Sequence, residues 1–223
     1  MPGAWEIVEA RRNRVMVVTI APPDLKVTTG WASAVLHLAL PPMSDFMMVK
    51  GFPFGPARNK GLKEALDQGY GWLFFLDADV ICPPNVVMDL LANGRDLIGG
   101  LYYRRFPPYE PAPSVAVRNE GGQLLGHKPP SFNHGDVIPV EFLPMGATLI
   151  SRRCMETVLA SHPRPFEWNL DIDTQDRGGL SEDFTFSLRA LELGFQPWVA
   201  TGLTCRHETL TLVGPRGLEY PAT

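Results

Sequence analysis

The run WLFFL, residues 72–76, is apolar at every position and is followed at once by Asp77-Ala78-Asp79. Side chains alternate between the two faces of a strand. A strand with no polar position is therefore dry only if both its faces are covered, which is the situation of a central strand in a parallel α/β sheet. Ligands of such sheets bind beyond the carboxyl ends of the strands. Two aspartates one residue apart at that end point the same way if the strand continues. Read without a ligand, they are a polar strand end that makes a turn. Read with one, they are a carboxylate pair able to share Mg²⁺ or Mn²⁺, whose other ligands are water and substrate phosphates.

The surrounding pattern agrees with an α/β sheet. Residues 15–20 (VMVVTI) read as a first buried strand ended by Ala21-Pro22-Pro23. Thr28 or Thr29 caps a helix expected to run to about Leu40, stopped by Pro41-Pro42. A short strand over 46–49, a helix over 56–68 ended by Gly69, and the WLFFL strand follow. Pro83-Pro84 opens a helix to about Leu91, and 96–103 reads as the next strand. This alternation predicts a mostly parallel central sheet flanked by helices.

The second half reads differently. Residues 104–144 are rich in proline and glycine, with short extended pieces at 114–117 and 137–142. A strand over 147–150, a helix over 152–160 and a loop over 161–179 come next. Ser181 starts a helix with Phe184, Leu188, Leu191 and Phe195 on one face, and a strand over 196–204 ends the pattern. Residues 213–223 read as a Gly/Pro-rich tail. We expect one domain over 1–223, with a ligand-binding half at 1–103, a loop-rich half at 104–210 and a tail at 211–223.

Composition narrows the function classes. The chain has 223 residues, 45% hydrophobic and 20% charged, which is ordinary for a globular protein. Its net charge of −4 argues against general polyanion binding, although a local basic patch remains compatible with phosphates. Three cysteines, Cys82, Cys154 and Cys205, have no spacing of a disulfide framework or a zinc cluster. They fit a reducing compartment. No stretch approaches the ~18 apolar residues of a membrane span. The expected location is the cytoplasm of a bacterium or of a phage-infected host cell.

The residues 57–87, ARNKGLKEALDQGYGWLFFLDADVICPPNVV, closely resemble the family 2 glycosyltransferases and related enzymes of the GT-A fold. The shared pattern is Ala-Arg-Asn-x-Gly, a helix, a Gly-aromatic pair, an apolar strand, Asp-x-Asp and a downstream proline. Arg58, Asn59, Gly61, Gly69, Asp77, Asp79 and Pro83 or Pro84 fall into it. The resemblance implies a nucleotide-sugar donor, with a UDP-sugar favoured, held through Mn²⁺ or Mg²⁺. It implies that Asp79 is the direct metal ligand, that Asp77 faces the ribose or donor sugar with a possible touch on the metal, and that Arg58 lies near the nucleotide. The turn with Pro22 and Asp24 takes the place where such folds hold the nucleobase.

Further residues follow in family order. Ser181-Glu182-Asp183 is a helix start that suits the helix dipole whatever else it does. The resemblance adds that Asp183 lies beside the acceptor and acts as base in inverting members, with Glu182 on the acceptor side. His207, in Cys205-Arg206-His207-Glu208, takes the place of a late histidine that completes the metal shell, and imidazole favours Mn²⁺ over Mg²⁺. Glu208 is a candidate partner behind the ligands. Gly146, before the 147–150 strand, matches a small-residue turn lining the acceptor.

The remaining readings stay open. Arg104, Arg105 and Tyr109 are candidates for donor phosphate or acceptor, or form a solvated loop. Trp168 or Phe166 is a candidate for stacking on a sugar or base. The segment 101–111, LYYRRFPPYEP, also resembles segments of small phage and bacterial glycosyltransferases, some of which act on hydroxymethylated DNA bases, and Arg118, Lys128, Arg152 and Arg153 are the residues available for a basic patch. The −4 charge does not favour a DNA acceptor. A nucleotidyltransferase of similar fold is disfavoured because Ala21-Pro22-Pro23-Asp24 is not a glycine-rich phosphate loop. A phosphatase with an Asp-x-Asp nucleophile is disfavoured because its motif belongs on the first strand. A non-catalytic nucleotide-sugar-binding protein is the third alternative.

Overall fold

The computed structural model describes residues 13–51, 53–169, 179–209, 212–214 and 217–219. These residues hold a seven-stranded sheet built from β1 (Val15–Ala21), β2 (Asp45–Lys50), β3 (Trp72–Leu76), β5 (Leu97–Leu101), β8 (Val137–Pro139), β9 (Ala147–Ser151) and β10 (Trp198–Thr204). The order is β2-β1-β3-β9-β5-β10-β8. β1 pairs in parallel with β2 and β3, and β10 with β5. β9 is antiparallel to both β3 and β5, and β8 is antiparallel to β10. Five of the seven strands thus run the same way, with β9 and β8 reversed.

The alternation of WLFFL is what the two-sided covering requires. Leu73 and Phe75 join one core with Val18, Leu62, Ile150, Met155 and Phe186. Phe74 and Leu76 join the other with Val17, Trp31, Val87, Leu90 and Leu149. The first face is covered by α2 (Phe54–Asp67), α4 (Arg152–Ser161) and α5 (Glu182–Glu192), and the second by α1 (Thr29–Leu36) and α3 (Val86–Ala92). Helix α2 packs tightly on β1: a Cβ at Gly61 would stand 2.7 Å from Val18 Cγ1.

Several boundaries depart from the sequence reading. Thr28 is the cap of α1, its hydroxyl accepting from Trp31 N. The helix ends at Leu36 rather than near Leu40, because the Ala39 amide donates to the Pro84 carbonyl and draws the chain towards α3. Helix α2 begins at Phe54, two residues before Pro56. On α5, Phe184, Leu188 and Leu191 are only partly buried, and the buried Phe195 lies past the helix end; the helix turns Glu182, Thr185, Phe186, Ser187 and Ala190 inward. Its buried face carries the polar Glu182, Thr185 and Ser187, which hide the face from an apolar pattern.

The short elements were not legible. β6 (Val115–Arg118) and β7 (Leu124–Lys128) form a hairpin, β4 (Val80–Ile81) pairs with β11 (Arg206–His207), and β12 (Leu212–Gly214) pairs with β13 (Gly217–Glu219) in the region read as a tail. The loop expected over 161–179 falls partly on 170–178, and the end of the tail on 220–223, outside the described residues. Among the described residues no helix is long and apolar enough to cross a membrane.

Candidate functional site

Strand direction decides what meets at one edge of the sheet. β1, β3, β5 and β10 end at the same edge, and β9 begins there. Asp77 follows β3, Pro22 to Asp24 follow β1, Tyr102 and Tyr103 follow β5, Gly146 precedes β9, and His207 follows β10. Helix α2 starts just after β2 and brings Arg58 to this edge, where it meets Glu182 in the first turn of α5.

Arg58 is the hub of a buried cluster. Its Nη2 donates to Asp77 Oδ1 at 3.1 Å and its Nε to Glu182 Oε1 at 3.3 Å. Only 4% of the Arg58 side chain is exposed, and its Nη1 has no partner among the described residues. Burial opposes the guanidinium charge, yet Asp77, Glu182 and Asp183 around it push its pKa above the ordinary value. Burial raises the pKa of Asp77 against the pull of Arg58, and the Asp79 charge adds to the rise. Glu182 is raised by burial and by Asp183, again against Arg58.

The backbone around Asp77 is held from three sides. Its amide donates to the Gly146 carbonyl at 3.0 Å, and its carbonyl accepts from Trp31 Nε1 at 2.9 Å. The Gly146 amide in turn donates to the Tyr102 hydroxyl at 2.9 Å. A Cβ at Gly146 would stand 2.5 Å from Tyr102 Oη and 3.1 Å from Asp77 Oδ2. Glycine is therefore needed there for the site's own side chains to close up.

Asp79 belongs to a second, more open group. Its Oδ2 accepts from Arg105 Nη1 at 2.7 Å and lies 3.4 Å from His207 Nε2. The β4–β11 register sets His207 opposite Val80, next to Asp79, and the Glu208 amide donates to the Asp79 carbonyl at 2.7 Å. His207 Nδ1 is 2.9 Å from the Tyr103 carbonyl, an acceptor, so Nδ1 carries hydrogen and Nε2 faces the carboxylate. Burial disfavours a charged His207, but Asp79 and the Tyr103 carbonyl raise its pKa overall. Asp79 is lowered: burial works the other way and is outweighed by His207 and Arg105.

An imidazole nitrogen and a carboxylate oxygen 3.4 Å apart fit two neighbouring ligands of one ion, whose spacing at a ligand distance of ~2.1 Å is about 3 Å. The pair suits Mn²⁺ by its donor types. Asp77 is turned to Arg58 instead, and among the described residues no three His, Cys, Asp or Glu side chains are grouped to hold an ion.

The other candidates are distributed as follows. Asp24 pairs with its neighbour Lys26 at 3.3 Å in the turn after Pro22. Ser181 does not cap α5 with its side chain; its hydroxyl donates to the Asp183 carboxylate, which also accepts from Phe184 N. Glu208 accepts from the Thr28 hydroxyl at 2.7 and 2.9 Å, tying the chain after β11 to the start of α1. Trp168 is exposed. Phe166 is not available for stacking on a ligand: it is buried, stacked on Phe186 at 4.3 Å with Phe75 at its edge. Arg152 and Arg153 do not join a patch with Arg118 and Lys128. They lie at the opposite edge of the sheet, where Ser151 stands across from Trp72, and Arg153 pairs with Asp96. Arg118 pairs with Glu141 at 3.3 Å.

Sequence reasoning did not find Tyr102, Trp31 or the partner of Arg105. It also did not find that Cys82 and Cys205, after β4 and before β11, bring their thiols to 2.9 Å. None of these contacts has a local sequence signal.

No protein-family model matches the sequence, and no curated protein does. Solved structures do match. A197 from STIV superposes with a TM-score of 0.59 at 18% identity, over 94% of this chain and 95% of that one. GalNAc-T7, a GT-A glycosyltransferase solved with UDP, GalNAc and Mn²⁺, superposes with a TM-score of 0.57 at 12% identity. The match covers 87% of this chain and 43% of GalNAc-T7, so the chain spans less than half of that neighbour's length. The chain has the GT-A fold. At such identities the likeness is one of fold. Within the GT-A fold, the edge that gathers Asp77, Asp79, Arg58, Glu182 and His207 is the carboxyl edge of the parallel strands, where α/β sheets bind ligands.

Proposed function

We propose that this chain is a metal-dependent glycosyltransferase of the family 2 type, related to the small phage and bacterial enzymes. It takes a nucleotide-diphosphate sugar, with UDP-sugars favoured, and moves the sugar to an acceptor hydroxyl. The observation that carries the reading is the meeting of Asp79 with His207 beside the Arg58–Asp77–Glu182 cluster at the ligand-binding edge of a GT-A fold. The solution of GalNAc-T7 with UDP, GalNAc and Mn²⁺ is consistent with it.

In this reading Asp79 and His207 hold Mn²⁺ (or Mg²⁺), with Asp77 near the ribose or donor sugar. The cation, when bound, offsets the charge that develops on the departing diphosphate. Pro22 and Asp24 lie along the nucleobase, in the half of the chain up to residue 103. Arg58 fixes Asp77 and Glu182 in position. Asp183, whose carboxylate is held by the Ser181 hydroxyl and Phe184 N, accepts the proton of the acceptor hydroxyl. The hydroxyl oxygen bonds to the anomeric carbon while the bond from that carbon to the phosphate oxygen breaks, and nucleoside diphosphate leaves. Gly146, Glu182 and Trp168 border the acceptor. Acceptor classes to test are glycans, small molecules and hydroxymethylated DNA.

The test is a panel of nucleotide sugars with Mn²⁺, scored for nucleoside diphosphate release with and without those acceptors. Release from at least one donor is expected, and Asp183→Asn keeps donor binding and loses transfer. No release from any donor, with donor still bound, favours the non-catalytic binding protein. Transfer of a nucleotidyl group with pyrophosphate release favours the nucleotidyltransferase.

A further inference from the structure

Arg105 and His207 approach the same atom. Arg105 Nη1 is 2.7 Å from Asp79 Oδ2, and His207 Nε2 is 3.4 Å from it. A positive group therefore already stands on the carboxylate oxygen that the functional reading gives to a divalent cation. The pairing is not locked: 43% of the Arg105 side chain and 34% of Asp79 are exposed. By contrast, the loop that carries Arg105 is pinned at its base. The Arg104 amide donates to the Glu110 carbonyl and the Ala112 amide to the Tyr102 carbonyl, both at 2.9 Å. With its side chain half-exposed, Arg105 has room to turn away from Asp79 while these backbone bonds are kept.

Two cations repel each other and do not share one carboxylate oxygen well, and a divalent ion brings a diphosphate with it. The guanidinium fork matches phosphate oxygens in geometry and charge. We propose that Arg105 is an exchangeable counter-cation. It neutralises Asp79 before the donor binds, and it transfers to the diphosphate of the incoming donor when the divalent cation takes Asp79. The proposal rests on the functional reading above. It makes Arg105 a determinant of binding order, since each cation releases the other's place.

The test compares wild type, Arg105→Ala and Arg105→Lys in two titrations: Mn²⁺ alone by electron paramagnetic resonance, and UDP at saturating Mn²⁺ by calorimetry. Arg105→Ala should bind Mn²⁺ alone about three- to fivefold more tightly, the scale of a half-exposed ion pair. The same variant should bind UDP with Mn²⁺ about 10- to 100-fold more weakly, the scale of one charge-assisted contact to phosphate. Arg105→Lys should fall between wild type and alanine in both. Unchanged Mn²⁺ affinity, or unchanged UDP affinity, in Arg105→Ala overturns the exchange. If wild type binds both and the variant matches it, only the role of Arg105 falls. If wild type binds neither Mn²⁺ nor UDP, the functional reading falls and the exchange with it.

Discussion

Asp77 and Asp79 have one residue between them and live in different surroundings. Asp77 answers to Arg58, which is 4% exposed and also tied to Glu182 across 124 positions of sequence. Asp79 answers to Arg105, which is 43% exposed, and to His207 on a two-residue strand. Both carboxylates face a guanidinium at about hydrogen-bond distance, yet burial separates their consequences. Charges taken out of water need their partners permanently, whereas charges at the surface exchange them cheaply. One acid of the motif is thereby built into the scaffold, and the other has a half-exposed guanidinium as its partner.

The contrast is broken most severely at Arg58. Arg58→Ala should cost about 3–5 kcal/mol of stability in chemical denaturation, because Asp77 and Glu182 are left without a counter-charge. Arg58→Lys should recover only part, since an ammonium cannot span both carboxylates as the fork does. A loss below ~1 kcal/mol for the alanine variant would mean that the cluster is as exchangeable as the Asp79 group.

Gly146→Ala should cost about 1–3 kcal/mol by forcing Tyr102 and Asp77 apart. Tyr102→Phe in the same background should return part of it, and strictly additive losses would deny the contact.

Asp79→Asn should change stability by less than ~1 kcal/mol despite its two side-chain partners, since its ion pair with the half-exposed Arg105 is solvent-screened. A larger loss would place Asp79 in the scaffold with Asp77.

The smallest effect is expected at the far edge of the sheet. Burial alone would raise the pKa of Asp96, but hydrogen bonds from Arg153 and Ser151 outweigh it and hold it below the ordinary value. A carboxylate lowered on folding stabilises above its unfolded pKa, near ~4, and loses this as pH falls through the folded value. Asp96→Asn should therefore lose under ~1 kcal/mol at neutral pH and match wild type well below pH ~4. An equal deficit at both pH values would contradict the charge-based origin.

The same contrast explains what was legible in the sequence. WLFFL gave away the central strand because both faces of β3 are covered, and Asp77-Ala78-Asp79 marked its carboxyl end. Arg58, Glu182, Asp183 and His207 stood out through a family pattern; spacing alone does not bring Arg58 to Glu182. What stayed hidden is held by single long-range contacts: Tyr102 under Gly146, Trp31 on the Asp77 carbonyl, Cys82 against Cys205. The buried face of α5 was hidden for a related reason, since Glu182 and Thr185 lie on it and break the apolar stripe. The reach of Arg105 to Asp79 is a side-chain choice within a loop, which no local pattern encodes.

In the proposed function, Asp79 binds donor through a divalent cation. The direct measurement is calorimetric titration of wild type and Asp79→Ala with UDP, each with and without Mn²⁺. Wild type should bind UDP only when Mn²⁺ is present, and Asp79→Ala should not bind it under either condition. UDP binding by wild type without Mn²⁺, or Mn²⁺-dependent binding that survives in Asp79→Ala, would contradict it.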